Sequence, residues 1–88
     1  MKEKLYAELF NKFGMNENSM PVNAMIIGLC SPGFCLTADA CKASISEFKI
    51  MQKGLQLSKL SKEMKDHWME MITASIKSCR QKDALLSA

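Results

Sequence analysis

The segment KEMKDHWMEMITASIKSCRQ, residues 62–81, decides the fold class. Its apolar side chains recur every three or four residues, which places them along one side of an α-helix. The members of this stripe are Met64, Trp68, Met71, Ile72, Ser75 and Cys79, widened by Met69 and Ile76. Charged residues occupy most of the opposite side. The pattern predicts a long amphipathic helix that begins after a capping serine, Ser58 or Ser61, and ends near Gln81.

A second amphipathic helix is predicted at the start of the chain, from about Lys2 to Phe13. Leu5, Leu9 and Phe13 are four residues apart, with Tyr6 and Phe10 beside them, and together they form a broad stripe that we expect to face the core. Gly14 follows directly, and glycine suits a left-handed cap at the end of a helix. The sequence therefore predicts that this helix stops at Gly14.

The segment between these two helices contains two further candidates. PVNAMIIGLC, residues 21–30, is apolar on nearly every side and fits either a buried strand or a buried helix. The next segment is amphipathic from Ala38 to Lys53, with Thr37 as a suitable cap. Asp39 is the other candidate for that cap. Gly54 follows Lys53, a combination that is typical of a helix end.

The fold class follows from the absence of strand candidates that could pair with residues 21–30. We therefore assign these residues to a helix and predict an all-α fold. The predicted architecture is a small bundle of about four helices in a single domain, residues 1–88. The short connection after Gly54 favours an antiparallel hairpin of helices three and four.

The composition is typical of a folded domain and excludes several classes of protein. Of the 88 residues, 48% are hydrophobic and 24% are charged, so the chain has enough apolar side chains for a core. The net charge of +3 is smaller than expected of a dedicated nucleic-acid binder. No secretory signal and no membrane-spanning segment is evident, so we expect a cytoplasmic protein.

Three of the four cysteines lie within CSPGFCLTADAC, residues 30–41. Four thiolates are a suitable ligand set for zinc or an iron–sulfur cluster. The candidate metal ligands are Cys30, Cys35, Cys41 and Cys79. The spacing lacks the two closely spaced pairs that are common in zinc sites, so our first expectation is that the chain has no cofactor.

Two other interpretations of the cysteines remain open. Cys41 and Cys79 lie on apolar stripes, where cysteine behaves as a small hydrophobic residue. Cys35 follows a Pro-Gly turn near the start of a predicted helix, which would lower the pKa of its thiol. Such a thiol would be the most reactive of the four, so a redox or disulfide role is the second alternative.

An enzymatic function is not indicated. The single histidine, His67, has no second histidine and no paired carboxylates in its helical neighbourhood, so an acid–base role lacks partners. A DNA-binding alternative rests on Lys59, Lys62 and Lys65, which lie at the start of a helix that follows another helix and a turn. Because acidic residues interrupt that basic face, DNA binding is not favoured. Because His67 lacks catalytic partners, we predict that the protein is not an enzyme.

The first functional hypothesis comes from surplus apolar surface. The last helix carries more methionine and tryptophan than one neighbouring helix can cover, and both residue types are enriched at protein interfaces. The expected partner-binding residues are Trp68, Met69, Met71, Ile72, Phe10 and Phe13. We therefore expect an adaptor, chaperone or regulatory protein that binds another protein or forms a homodimer.

Overall fold

The computed structural model describes residues 1–29 and 35–87, and within them the chain forms four α-helices and no strand. The helices are α1, Lys2–Phe13; α2, Met20–Leu29; α3, Ala38–Leu57; and α4, Lys62–Ser87. The all-α prediction is confirmed, and residues 20–29 are helical as expected. No helix among the described residues is both long enough and apolar enough to cross a membrane.

Short hydroxyl side chains mark the helix starts. The Thr37 side chain accepts a hydrogen bond of 3.1 Å from the Ala40 backbone N–H at the start of α3. The Ser61 hydroxyl accepts from the Met64 N–H at 3.3 Å at the start of α4. These contacts satisfy backbone donors that have no partner within the first turn of a helix. Of the two predicted alternatives for each cap, Thr37 and Ser61 make these bonds.

The predicted end of the third helix at Lys53 is wrong, because α3 continues through Gly54 to Leu57. A Cβ atom at Gly54 would lie 2.5 Å from the Cβ of Tyr6 and 2.7 Å from the carbonyl oxygen of Glu3. The missing side chain therefore lets α1 approach the last turn of α3 closely. The helix ends instead at Leu57, and the backbone N–H and hydroxyl of the capping residue Ser58 both donate to the Leu55 carbonyl.

Gly14 also has a packing role rather than the predicted left-handed conformation. Its φ is −87°, and its N–H donates to the Phe10 carbonyl at 2.7 Å. The indole N–H of the fully buried Trp68 donates to the Gly14 carbonyl at 2.8 Å. A Cβ atom at Gly14 would lie 2.9 Å from the side chain of Leu60. Glycine at this position therefore allows the end of α1 to pack tightly under α4 and the α3–α4 connection.

Only part of the predicted apolar stripe of α1 is buried, namely the part that contains Phe10. The described structure buries Ala7, Phe10 and Gly14, whereas Leu5 and Leu9 are 61% and 40% exposed. The prediction that Leu5 and Leu9 face the core is therefore wrong. The reason is that α1 packs mainly against α3 and only one side of it is covered. The close approach at Gly54 sets which side that is.

The two longer helices are each buried along one side, and in α4 that side contains most of the predicted stripe. In α4 the buried residues are Trp68, Ile72, Ile76 and Cys79, with Met64, Met69 and Met71 packed partly buried against the core. In α3 they are Cys41, Phe48, Met51, Gly54 and Leu55. All four helices contribute to this core, since Phe10 comes from α1 and Val22 and Ile26 come from α2. Helix α4 also extends beyond the predicted end, to Ser87.

Candidate functional site

The outward side of α1 carries an apolar band that the residues described by the structure leave largely uncovered. We call Met1, Leu5, Leu9 and Phe13 the outer α1 stripe, because they recur every fourth residue along one side of the helix. Met1 is 93% exposed, Leu5 is 61% exposed, Leu9 is 40% exposed, and Phe13 is half-buried. A leucine pair this exposed on a helix whose other face is packed is a candidate contact surface.

A shallow groove of about 230 Å³ runs beside the stripe, between α1 and α3. Its lining residues are Lys2, Leu5, Tyr6, Leu9 and Glu47. At its polar side the Tyr6 hydroxyl donates to one oxygen of Glu47, and the Lys2 ammonium donates to the other at 3.0 Å. The groove is thus apolar along the leucines and hydrogen-bonded along the α3 side.

These contacts fix the charge of the polar side. The Tyr6 hydrogen bond lowers the pKa of Glu47, partial burial opposes this, and the Lys2 ammonium lowers that pKa further. Burial raises the pKa of Tyr6 well above its ordinary value, and the hydrogen bond and charge of Glu47 raise it further. At neutral pH the phenol therefore keeps its proton and the carboxylate keeps its charge.

Three of the six predicted partner-binding residues lie in the chain's own core. Phe10, Trp68 and Ile72 are each 0% exposed, so a partner that binds the folded surface does not reach them. The other three, Phe13, Met69 and Met71, are half-buried and pack against that core with part of each side chain accessible. For these three a contact with a partner stays a prediction.

Sequence reasoning did not identify Leu5 and Leu9 as surface residues. Their regular spacing predicts that both face the core, because it is typical of one side of a helix. A signal was present, however: the apolar residues of α1 include Tyr6 and Phe10 beside Leu5 and Leu9, an arc wider than one neighbouring helix covers. That surplus predicts an uncovered side without showing which side it is.

The described cysteines are all buried thiols rather than disulfides. Cys35 is 1% exposed, and Cys41 and Cys79 are 0% exposed. Packing is thus confirmed as one role of Cys41 and Cys79. Cys30 lies outside the described residues. Within residues 1–29 and 35–87 no three side chains of metal-binding type are grouped so as to hold an ion. A zinc or iron–sulfur site that includes Cys30 stays a prediction.

Cys35 is buried although it lies outside the helices. Its sulfur lies 3.7 Å from the Leu29 carbonyl and 3.6 Å from the Ser44 hydroxyl. The Ser44 hydroxyl in turn donates to the same carbonyl at 2.8 Å, so α3 is joined to the end of α2 at this point. Burial raises the pKa of the neighbouring Cys41 thiol, and the charge and hydrogen bonding of Cys35 raise it further.

The remaining candidates are surrounded by ordinary packing contacts. The Lys65 ammonium donates to the Gln56 carbonyl at 3.0 Å, at the end of α3, which is a favourable place for a cation. Among the lysines proposed for DNA binding, Glu63 lies between Lys62 and Lys65, and Asp66 directly follows Lys65. The His67 ring packs edge-on against Trp68 with ring centres 4.6 Å apart. Its buried Nε2 has no hydrogen-bond partner among the residues that the structure describes.

Comparisons with known proteins do not add a functional assignment. No family model, no curated protein and no solved structure matches the chain. The function must therefore be argued from the chain's own surfaces and side chains, among which the outer α1 stripe and the buried thiols stand out.

Proposed function

We propose that this is a small cytoplasmic helical protein that acts as an adaptor, chaperone or regulator by binding protein, and that it pairs with a second copy of itself through the outer α1 stripe. The observation that carries this proposal is the exposure of Leu5 and Leu9, 61% and 40%, on a helix whose opposite face is packed. Water contact with such a surface is unfavourable, and association removes it.

The platform behind α1 is inferred to be an antiparallel hairpin of α3 and α4. Two contacts support this: Gln52 Nε2 lies 3.3 Å from Thr73 Oγ1, and Lys65 Nζ lies 3.0 Å from the Gln56 carbonyl. Positions later in α3 are thus matched by positions earlier in α4, as antiparallel neighbours require. A hairpin of this length gives α1 a firm support, so its outer face is presented without a change of fold.

The spacing of the stripe suits a two-fold symmetric contact. Positions 1, 5, 9 and 13 are arranged symmetrically about position 7 of α1. When two copies of α1 pack antiparallel, Leu5 of one copy lies opposite Leu9 of the second, and Met1 lies opposite Phe13. A two-fold interface uses the same patch on both copies, so a self-complementary stripe is what it requires.

Charges beside the stripe support the same arrangement. Lys4 and Glu8 are both exposed and lie four residues apart along one edge of the stripe. In the antiparallel pair, Glu8 of one copy comes close to Lys4 of the second, and symmetry repeats this contact. Exposed ion pairs contribute little affinity, but this reciprocal contact favours the antiparallel direction.

The expected association is weak. Complete burial of a leucine contributes about 1.5–3 kcal/mol, and the four leucines of the pair are already partly covered. Association costs about 4–15 kcal/mol in lost freedom of motion, and one helix pair buries less than the ~1,200 Å² typical of stable interfaces. A dimer that forms in the micromolar to millimolar range is therefore expected.

Sedimentation velocity over a wide range of protein concentration tests the proposal. We expect the wild-type sedimentation coefficient to rise with concentration and the Leu5→Ser/Leu9→Ser variant to remain monomeric. The matched control is Leu85→Ser/Leu86→Ser, which removes leucines that are 79% and 44% exposed at the end of α4. This control should associate like the wild type.

Two results would contradict self-association through α1. One is a wild-type protein that stays monomeric at every concentration up to the millimolar range. The other is an equal loss of association in both double variants, because that would place the interface outside the stripe. If the protein stays monomeric but binds a different protein only when Leu5 and Leu9 are intact, the outer α1 stripe binds that protein and not a second copy of the chain.

A further inference from the structure

We propose that Cys35 and Cys41 form a redox-active dithiol that closes to an intramolecular disulfide by exchange with a small-molecule disulfide such as oxidised glutathione. This assignment is independent of the proposed interaction through α1, because the two thiols lie in the core, where α2 meets α3, and contribute nothing to the outer stripe.

The local fold brings the two sulfur atoms to one face of α3. Cys41 and Ser44 are three residues apart, so they lie on the same side of the helix one turn from each other. The Cys35 sulfur lies 3.6 Å from the Ser44 hydroxyl, which places it against this side of α3. Both cysteines belong to the same buried core cluster.

The segment that leads into α3 supports this placement. Thr37 caps the helix, and the Cys41 backbone N–H donates to the Thr37 carbonyl at 3.1 Å. The chain therefore turns at Thr37, so that Cys35, just before the cap, lies next to Cys41 in the first turns. Direct interaction with the Cys35 thiol also contributes to the raised pKa of Cys41.

The exchange proceeds in two balanced steps. The Cys35 thiolate attacks one sulfur of the small disulfide, whose S–S bond breaks, and one small thiol leaves after taking up a proton. The Cys41 thiol then loses its proton and attacks the Cys35 sulfur of the mixed disulfide, which releases the second small thiol. In total the two protein thiols lose two electrons and two protons, and the small disulfide is reduced to two thiols.

The order of the two cysteines follows from their surroundings. Burial, together with Cys35 and to a smaller extent Asp83, raises the pKa of the Cys41 thiol, against a lowering effect of Lys82. Cys35 lies outside the helices and Cys41 lies within α3, so a local opening of the segment before α3 exposes Cys35 first, and Cys41 is assigned the second step. Both sulfurs are almost inaccessible to solvent, so the first step requires a local opening of the structure.

Peptide mapping of the full chain tests the pairing. The protein is equilibrated in glutathione buffers of increasing oxidised fraction, its remaining thiols are alkylated, and it is digested with chymotrypsin and endoproteinase Asp-N. Cleavage after Phe34 and Leu36 and before Asp39 separates Cys30, Cys35 and Cys41 into different peptides. We expect a Cys35–Cys41 cross-link that dithiothreitol reverses, with Cys30 and Cys79 alkylated.

Single serine variants test the order of attack. We expect Cys41→Ser to accumulate a glutathione adduct on Cys35, and Cys35→Ser to accumulate none on Cys41. Circular dichroism before digestion shows whether each protein remains helical. The reverse pattern of adducts would overturn the assignment of the first step to Cys35.

Three outcomes would overturn the dithiol itself. The first is a predominant cross-link that includes Cys30 or Cys79. The second is complete alkylation of all four thiols in every buffer in which the protein stays folded. The third is a Cys35–Cys41 cross-link that appears only when circular dichroism shows an unfolded chain, since this would not require the native geometry.

Discussion

The two faces of α1 have similar residues and opposite environments. On the inner face Ala7 and Phe10 are buried against α3, and on the outer face Leu5 and Leu9 remain exposed. By hydrophobicity alone a leucine pair is at least as suitable for a core as an alanine and a phenylalanine. The difference is therefore set by something other than apolar character.

Close approach of backbones explains the difference. Gly54 provides a gap in the surface of α3 that accepts Glu3 and Tyr6 of α1, and Gly14 provides a similar gap beneath Leu60. Both close contacts involve the buried side of α1, which carries Ala7 and Phe10. Two glycines therefore select the inner face, and the outer leucines remain available for an intermolecular contact.

We expect the largest difference between the two faces in the loss of unfolding free energy when one side chain on each face is truncated to alanine. Phe10→Ala leaves a cavity in the core and should lower the free energy of unfolding by about 3–5 kcal/mol. Leu9→Ala, next to it in sequence but 40% exposed, should lower it by less than about 1 kcal/mol at a concentration where the protein is monomeric. Urea unfolding followed by circular dichroism measures both, and equal losses would contradict the assignment of the faces.

The next effect concerns the hydrogen bond that holds the end of α1. Trp68→Phe retains an aromatic ring but removes the donor to the Gly14 carbonyl, which is otherwise buried. An unsatisfied buried carbonyl costs about 1–3 kcal/mol, and we expect the free energy of unfolding to fall by that amount. In the same urea titrations, an unchanged midpoint and slope would show that this hydrogen bond does not hold α1 in place.

A matched pair of glycine substitutions tests the gap in α3. Gly54→Ala should destabilise by about 1–2 kcal/mol, because its Cβ meets Tyr6 and Glu3 and the ~1 kcal/mol gain in helix propensity offsets only part of that cost. Gly28→Ala, in α2, has no atom within 4 Å of the new Cβ. It should therefore be neutral or stabilise by up to about 1 kcal/mol. If the thermal unfolding midpoint rises in both variants, the close approach of α1 to α3 does not depend on the missing side chain at Gly54.

The smallest effect is on pH dependence at the polar side of the groove. Because the pKa of Glu47 is lowered in the folded protein, its ionised form stabilises the fold above the unfolded pKa of about 4.3, and this contribution disappears as pH falls through the lower folded pKa. Glu47→Gln lacks this contribution. We expect the stability difference between wild type and variant to be present at neutral pH and to shrink in acid. A difference that grows on acidification would contradict the sign.

Much of the fold was predictable because helical periodicity is a strong local signal. The apolar stripe of α4 follows from neighbouring residues alone. The two cap candidates offered for each of α3 and α4 include Thr37 and Ser61, which make the capping bonds in the structure. The end of α3 was not predictable in this way. A glycine after a lysine is typical of a helix end, but Gly54 is needed for contact with α1, which lies far away in sequence.

The candidate site was less predictable for the same physical reason. Whether Leu5 or Phe10 is buried depends on how α1 rotates against α3, and both rotations satisfy the same periodicity. For the cysteines, burial of Cys41 and Cys79 follows from their stripes. The contact between Cys35 and the Ser44 side of α3 depends on the turn before the helix cap, whose geometry the residue spacing does not determine.

The most direct test of the central claim is an isotope-filtered nuclear Overhauser experiment on a mixture of ¹³C-labelled and unlabelled protein, at a concentration where association is measurable. Only contacts between copies give cross-peaks in such a sample. We expect cross-peaks that join the methyl groups of Leu5 in one copy to those of Leu9 in the second. Cross-peaks from Leu85 and Leu86 instead, or none from Leu5 and Leu9, would contradict the assignment of the outer α1 stripe as the interface.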